Sequence, residues 1–360
     1  MGDNFKKTGC LETARKVSTG SLVSVEDQEL TEYSAQIYRR GLQLVEELEK
    51  DRTISFADPQ LEAAVRISVA KLDGDLKFKD IKGLKVLNAP RSNISSLQGI
   101  EQLVSVKEIH LMGNQIESLH CLENLNGLRI LNLSHNRITN ITGLVKLKSL
   151  HRLYLGRNQI KDIEPLTGLS KLKDLVLSYN EIEDIRGLTG LKQLEELHLT
   201  GNKIWDIDCL KRLKKLRVLS VSGNKIDDIS SLADLTGLEK LWLSNNKIKD
   251  LNSLKRLRRL RLLYLASNQI REISFLTYLN ELTDLDLSDN LIENIRPLAN
   301  LNNLNELRLS FNRVRNINIL LNLNHLGIVE LDHNPIHPND NAAARHILTH
   351  LAKQGCLIKL

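Results

Sequence analysis

Eleven asparagines recur at a fixed interval of 22 residues: Asn114, Asn136, Asn158, Asn180, Asn202, Asn224, Asn246, Asn268, Asn290, Asn312 and Asn334. A chain with such a ladder must place eleven amides in equivalent settings, which a stack of similar turns does and a single compact core does not. Around each Asn the chain reads L-x-x-L-x-L-x-x-N-x-I-x-x-I/L-x-x-L-x-x-L, as in LHRLYLGRNQIKDIEPLTGL over residues 150–169. Ser92 stands one register before Asn114, so twelve turns fit between Leu84 and Asn334.

The short L-x-L stretch alternates apolar and polar residues and predicts a brief strand with one buried face. Strands of successive turns then stack in parallel about 4.8 Å apart. The Asn falls where the chain leaves the strand and bends. Its amide can donate to and accept from backbone groups of adjoining turns, which would otherwise be buried unpaired at about 1–3 kcal/mol each. The ladder is thus expected to be structural. Ser92 suits a first turn with less to bridge.

The pattern resembles a leucine-rich repeat. That resemblance implies an α/β solenoid, a horseshoe with a parallel concave β-sheet and a helical N-terminal cap. A 360-residue chain would otherwise suggest two or three domains, but a solenoid buries only the inner face of each turn against its neighbours and behaves as one quasi-linear domain.

Composition excludes several classes. No run of about 18 apolar residues is present, so no membrane-spanning helix is expected. The N-terminus, MGDNFKKTGCLETARKVSTG, lacks the apolar stretch of a secretory signal. Lys6 stands where myristoylation expects Ser or Thr. A cytoplasmic setting is therefore expected, with secretion reserved for a chain whose signal had been removed. Cys121 and Cys209 occupy the same repeat position four turns apart, on the order of 19 Å by strand stacking. That exceeds disulfide reach, and with Cys10 and Cys356 in opposite terminal segments all four are expected as free thiols.

Residues 1–22 are polar and patternless and are expected to be disordered. Residues 23–55 carry Leu30, Tyr33, Ile37, Leu42, Val45 and Leu48 near helical spacing, predicting an amphipathic helix that starts at S-V-E-D after Val23 and breaks near Gly41. Residues 56–83 read as an N-terminal cap: Asp58 caps a helix with Pro59 in its first turn, and Leu61, Ala64, Val65 and Val69 form its apolar stripe. Repeats fill 84–334, and 335–360 close the array with P-I-H-P-N-D-N, a short helix and the apolar strand CLIKL. The F-x-D-x-x-L-x-x-A-V-R cap resembles that of bacterial internalin-like repeat proteins. The 22-residue period is similar to both that group and the SDS22-type phosphatase regulators. The helix–Gly–strand ending resembles the bacterial group and lacks the Tyr/Arg-rich cap of the regulators.

The residues six, four, two and one before each Asn point outward from the strands. The four-before column places Tyr154, His198, Trp242 and Tyr264 on one face of a chain with only 4% aromatic residues, a pattern typical of interface hot spots. Arg152, Asp174, Glu196 and Lys240 lie six before their Asn, mixed in sign, while Arg157 and Tyr179 lie one before. Asp284, Asp286 and Asp289 share one turn, followed by Glu306, Glu330 and Asp332, with Arg308 the interruption. No calcium-loop spacing accompanies these carboxylates, so a basic protein surface is the expected partner. The SDS22-type resemblance likewise places binding on Glu196, Trp242, Tyr264 and Asp286.

The basic runs Lys211-Arg212, Lys214-Lys215, Lys255-Arg256, Arg258-Arg259 and Arg261 lack interleaved aromatics and read as a solvated outer face, with no nucleic-acid partner expected. His346 and His350 stand i and i+4, with His333, His337 and Cys356 near in sequence, but H-I-L-T-H lacks the Glu of a zincin, and no metal or cofactor is expected. No nucleophile, phosphate-loop or dinucleotide motif is present. The reading is a non-catalytic, monomeric scaffold that binds a protein on its concave face. An SDS22-like phosphatase regulatory subunit and an exported internalin-like adhesin or effector are the alternatives.

Overall fold

The computed structural model describes residues 25–336 and 342–360. The expectations for residues 1–22 and for His337 lie outside them. Contacts divide the chain into two compact units, Met1–Thr53 with Lys77–Lys79, and Ile54–Leu76 with Asp80–Leu360.

The first unit is built on helix α1, Val25–Asp51, which runs through Gly41 without the expected break. Gly41 has nothing within 4 Å of where a Cβ would stand, so nothing there forces a kink. Thr53 bridges Lys77 in antiparallel fashion. Asp51 accepts from Lys79 at 2.8 Å, and that hydrogen bond, with the Lys77 charge nearby, holds its carboxyl below the usual range.

The second unit opens with helix α2, Pro59–Ser68, capped as its sequence demands. The Asp58 carboxylate accepts from the Gln60 and Leu61 amides at 2.9 and 3.2 Å. Its other oxygen accepts from Ser95 N, Ser95 Oγ and Ser96 N at 2.7, 3.0 and 3.1 Å. One buried carboxylate therefore starts the cap helix and pins it to the first turn. Leu61, Ala64 and Val65 are buried as expected, whereas Val69 is only half-buried where the helix ends. A short helix, α3, covers Phe78–Ile81.

Thirteen three-residue strands follow in sequence order and pair in parallel in one sheet. Strands β1 (Val86–Asn88) to β12 (Ile328–Glu330) belong to the twelve turns. Among these twelve strands the register is always 22 residues, for example Leu153↔Leu175 between β4 (Arg152–Tyr154) and β5 (Asp174–Val176). The return path of each of the first eleven turns carries a short 3-10 segment, such as Glu164–Leu166. Each turn adds one layer of aliphatic side chains: Leu150, Leu153, Leu155, Ile160, Ile163, Leu166 and Leu169 are all at most 1% exposed. At about 1.5–3 kcal/mol per buried side chain, these layers hold the stack together. Helix α4, Ala342–Lys353, packs on the last 3-10 segment, and β13, Leu357–Lys359, adds to β12 in register.

Candidate functional site

The Asn ladder sets the geometry of the strand face. Asn136 Nδ2 donates to Leu111 O of the preceding turn at 3.0 Å and to Leu133 O of its own at 2.9 Å, while its Oδ1 accepts from Ile116 N at 3.0 Å. All eleven rungs repeat this pattern between 2.8 and 3.1 Å. Turning the amide inward costs a left-handed residue just before it. That position has positive φ in every turn, with Gly113, Gly201 and Gly223 in three and His135, Arg157, Tyr179, Asn245, Ser267, Asp289, Phe311 and His333 in the others.

A second column escaped the sequence reading. Four residues after the rung, Asn140, Asp162, Asp184, Asp206, Asp228, Asp250, Asn294 and Asn316 each accept from the amide two residues on, at 2.7–3.0 Å. These side chains start the 3-10 segments and are structural. Their own 22-residue recurrence was the available signal.

On the strand face the structure brings the expected residues together and also covers them. Tyr154, His198, Trp242 and Tyr264 are half-buried rather than standing in water. Trp242 and Tyr264 meet edge to face, centroids 6.3 Å apart and planes at 79°. Arg308 also lies over the Tyr264 ring, at 5.8 Å from its centroid. Arg152 pairs with Asp174 at 2.9 Å. Burial raises the Tyr154 hydroxyl, with the Asp174 charge adding to it. Burial likewise lowers the His198 imidazole against the pull of Glu196 and Asp174, which favours its neutral form.

The carboxylates of the last turns divide into compensated and uncompensated sets. Arg308 pairs with Glu306 and lies 3.8 Å from Glu330. Lys359 reaches Glu330 at 3.7 Å, a second cation in the acidic zone that arrives because β13 adds to β12 in register. Asp332 accepts from Ser310 and contacts His333, and these hydrogen bonds hold its carboxyl low despite partial desolvation. Among the described residues no cation lies within 4.0 Å of Asp284, Asp286 or Asp289. Asp284 accepts from Thr283 Oγ1 at 2.6 Å, and Asp286 spends one oxygen on Ser288 N at 2.9 Å. Glu196 and Lys240 are exposed and make no ion pair among the described residues.

The remaining candidates are occupied elsewhere. Lys211 pairs with Asp208, and Lys214 and Arg256 with Asp234, at 3.0–3.6 Å, as charges on a solvated outer face do. Surface depressions lie off the strand face and are lined by paired charges, Lys203 with Glu181 and Arg261 with Glu281. Among the described residues no three His, Cys, Asp or Glu side chains converge as metal ligands, and no helix is long and apolar enough to cross a membrane. Cys121, Cys209 and Cys356 are free.

Family models for leucine-rich repeats match residues 126–168, 214–256 and 258–300 in one form and 149–204 in another. No curated protein sequence matches the chain. Among solved structures, an internalin (inlF) of Listeria monocytogenes superposes with a TM-score of 0.73 at 29% identity, covering 84% of this chain and 95% of that one. Internalin C2 of the same organism is 30% identical, with a TM-score of 0.50 over 65% and 94% of the two chains. A leucine-rich repeat protein of Leptospira interrogans gives 0.63 at 25% identity over 79% and 85%. The chain belongs to the leucine-rich repeat family, whose members are typically protein-interaction scaffolds. Within that family its repeats are internalin-like.

Proposed function

We propose that this chain is a non-catalytic scaffold that captures a protein partner on its strand face, with a basic surface of the partner seated on the last turns. The observation that carries the reading is the Trp242–Tyr264 pair beside three carboxylates, Asp284, Asp286 and Asp289, that no cation among the described residues compensates. Half-buried aromatics supply contact area at low entropic cost, and uncompensated charge sets register and on-rate. The repeat holds both rigidly, so little order is lost on binding. A reducing, cytoplasmic setting belongs to the same reading and draws support from the free thiols.

The test is affinity capture of cross-linked partners by the wild-type chain and by Trp242→Ala with Tyr264→Ala, each checked by thermal unfolding. Loss of a specific partner with an unchanged unfolding midpoint is the expected result. Capture that survives the double substitution overturns the assignment.

A further inference from the structure

Arg157 and Asp289 occupy the same position on the rim of the sheet, one residue before a rung Asn, six turns apart. At about 4.8 Å per strand they stand roughly 29 Å from each other. Both are exposed, both are left-handed at φ 56° and 52°, and neither has an ion partner among the described residues. The rim between them carries no charge: Tyr179, Gly201, Gly223, Asn245 and Ser267 fill the intervening turns.

The two ends differ in sign and are both held in place. Arg157 Cζ lies over the Tyr179 ring at 4.4 Å from its centroid, so the guanidinium is held without being neutralised. Asp289 belongs to the turn whose other outward carboxylates, Asp284 and Asp286, also lack a cation among the described residues. Between these ends a wall stands on the strand side, made by the Trp242–Tyr264 pair. On the rim side the Tyr179 ring lies over Gly201, whereas Gly223, one turn before Trp242, presents no side chain and has no heavy atom nearer than 3.4 Å to where a Cβ would stand, leaving space for a main chain there. The hydroxyls of Ser222, Ser244 and Ser288, which make no hydrogen bond among the described residues, lie between wall and rim, half-buried.

From this charge pattern we infer that the strip takes a single extended peptide segment running along the solenoid axis, with an acidic group at Arg157 and a basic side chain at Asp289. An extended chain rises about 3.4 Å per residue, so the two charges of the ligand stand about eight residues apart. The inference rests on the strand-face reading above and narrows it to the form of the partner. A folded surface would have to match all six turns at once, whereas an extended segment needs only its two charges and free main-chain groups between them.

The experiment uses the full chain as bait for a random twelve-residue peptide library displayed on phage. Enriched peptides are expected to carry Asp or Glu and Lys or Arg about eight positions apart, in one constant order. Arg157→Ala and Asp289→Ala are each expected to weaken the best selected peptide about tenfold in fluorescence polarisation. The decisive variant is the swap, Arg157→Asp with Asp289→Arg, which leaves buried layers and ladder untouched and is expected to select the reverse charge order. Enrichment without spaced charges, no enrichment, or a swap that leaves the order unchanged overturns the inference. In any of those cases loss of partner capture by the Trp242 and Tyr264 substitutions still supports the strand-face reading for a folded partner. Survival of capture there removes the reading itself.

Discussion

The ring of Tyr179 lies over Gly201 so closely that a Cβ at residue 201 would stand 2.6 Å from its Cδ1. Gly201 thus meets two demands at once, a left-handed backbone at φ 70° and room for a neighbour's side chain. Gly223 has nearly the same backbone, φ 65°, but its nearest heavy atom would be 3.4 Å away.

The pair separates conformational from steric cost. Gly223→Ala is expected to lose about 1 kcal/mol, the left-handed penalty for an L residue. Gly201→Ala is expected to lose that and roughly 1 kcal/mol more, because the Tyr179 ring must move off Arg157. Urea unfolding of both variants checks the difference, and equal losses would show that the ring gives way freely.

Ladder amides should differ according to water access. Asn180 is 7% exposed and joins Leu155 O, Leu177 O and Ile160 N at 2.9–3.0 Å. Asn180→Ala leaves three buried backbone groups unpaired and is expected to cost about 3 kcal/mol. Asn246 makes the same bonds but is half-exposed, so water can replace part of the loss and about half that cost is expected. Amide hydrogen exchange should show the opening confined to the adjoining turns, since each repeat contacts only its neighbours.

Asp58 should give the cap an acid-sensitive component. Burial raises its carboxyl, but hydrogen bonds from Ser95, Ser96 and Leu61 together outweigh that and hold it below the usual range. A depressed folded pKa contributes stability that is complete above the unfolded value of about 3.9 and is lost as pH falls through the lower folded value. Asp58→Asn is therefore expected to be less stable at neutral pH and to lose less on acidification. Unfolding midpoints between pH 7 and pH 3 decide the matter; parallel curves would exclude the linkage.

The Cys209 thiol should be inert. Burial pushes it up to about 12, with Asp206 and Asp184 adding to the shift, and its Sγ faces Ile185 O at 3.3 Å. Thiolate is the reactive form, so iodoacetamide at pH 8 with peptide mapping should leave Cys209 unlabelled until denaturant is added. Labelling of the native protein within minutes contradicts this placement.

Much of the fold was legible because one period governs it. The buried layer of Leu153, Leu155, Ile160 and Leu166 and the direction of Asn158 follow from where each residue stands relative to the rung, since a one-residue slip would expose the whole layer. The Asp162 and Asp184 caps could have been read the same way. The site was less legible. The repeat register makes Trp242 and Tyr264 outward residues of neighbouring strands, but it does not say that they meet edge to face and stand half-buried.

The sequence by itself determined register: which residue faces inward, which outward, and which columns share a rim. Only the tertiary structure decided what those outward residues are free to do. Lys359 compensates Glu330 because a strand outside the repeat pattern adds in register to β12. Arg157 stays uncompensated because its guanidinium lies on the Tyr179 ring of the next turn. The physical reason is one of scale. A 22-residue spacing fixes backbone positions through hydrogen bonds common to every turn, while side-chain pairing depends on rotamers chosen among neighbours that differ from turn to turn.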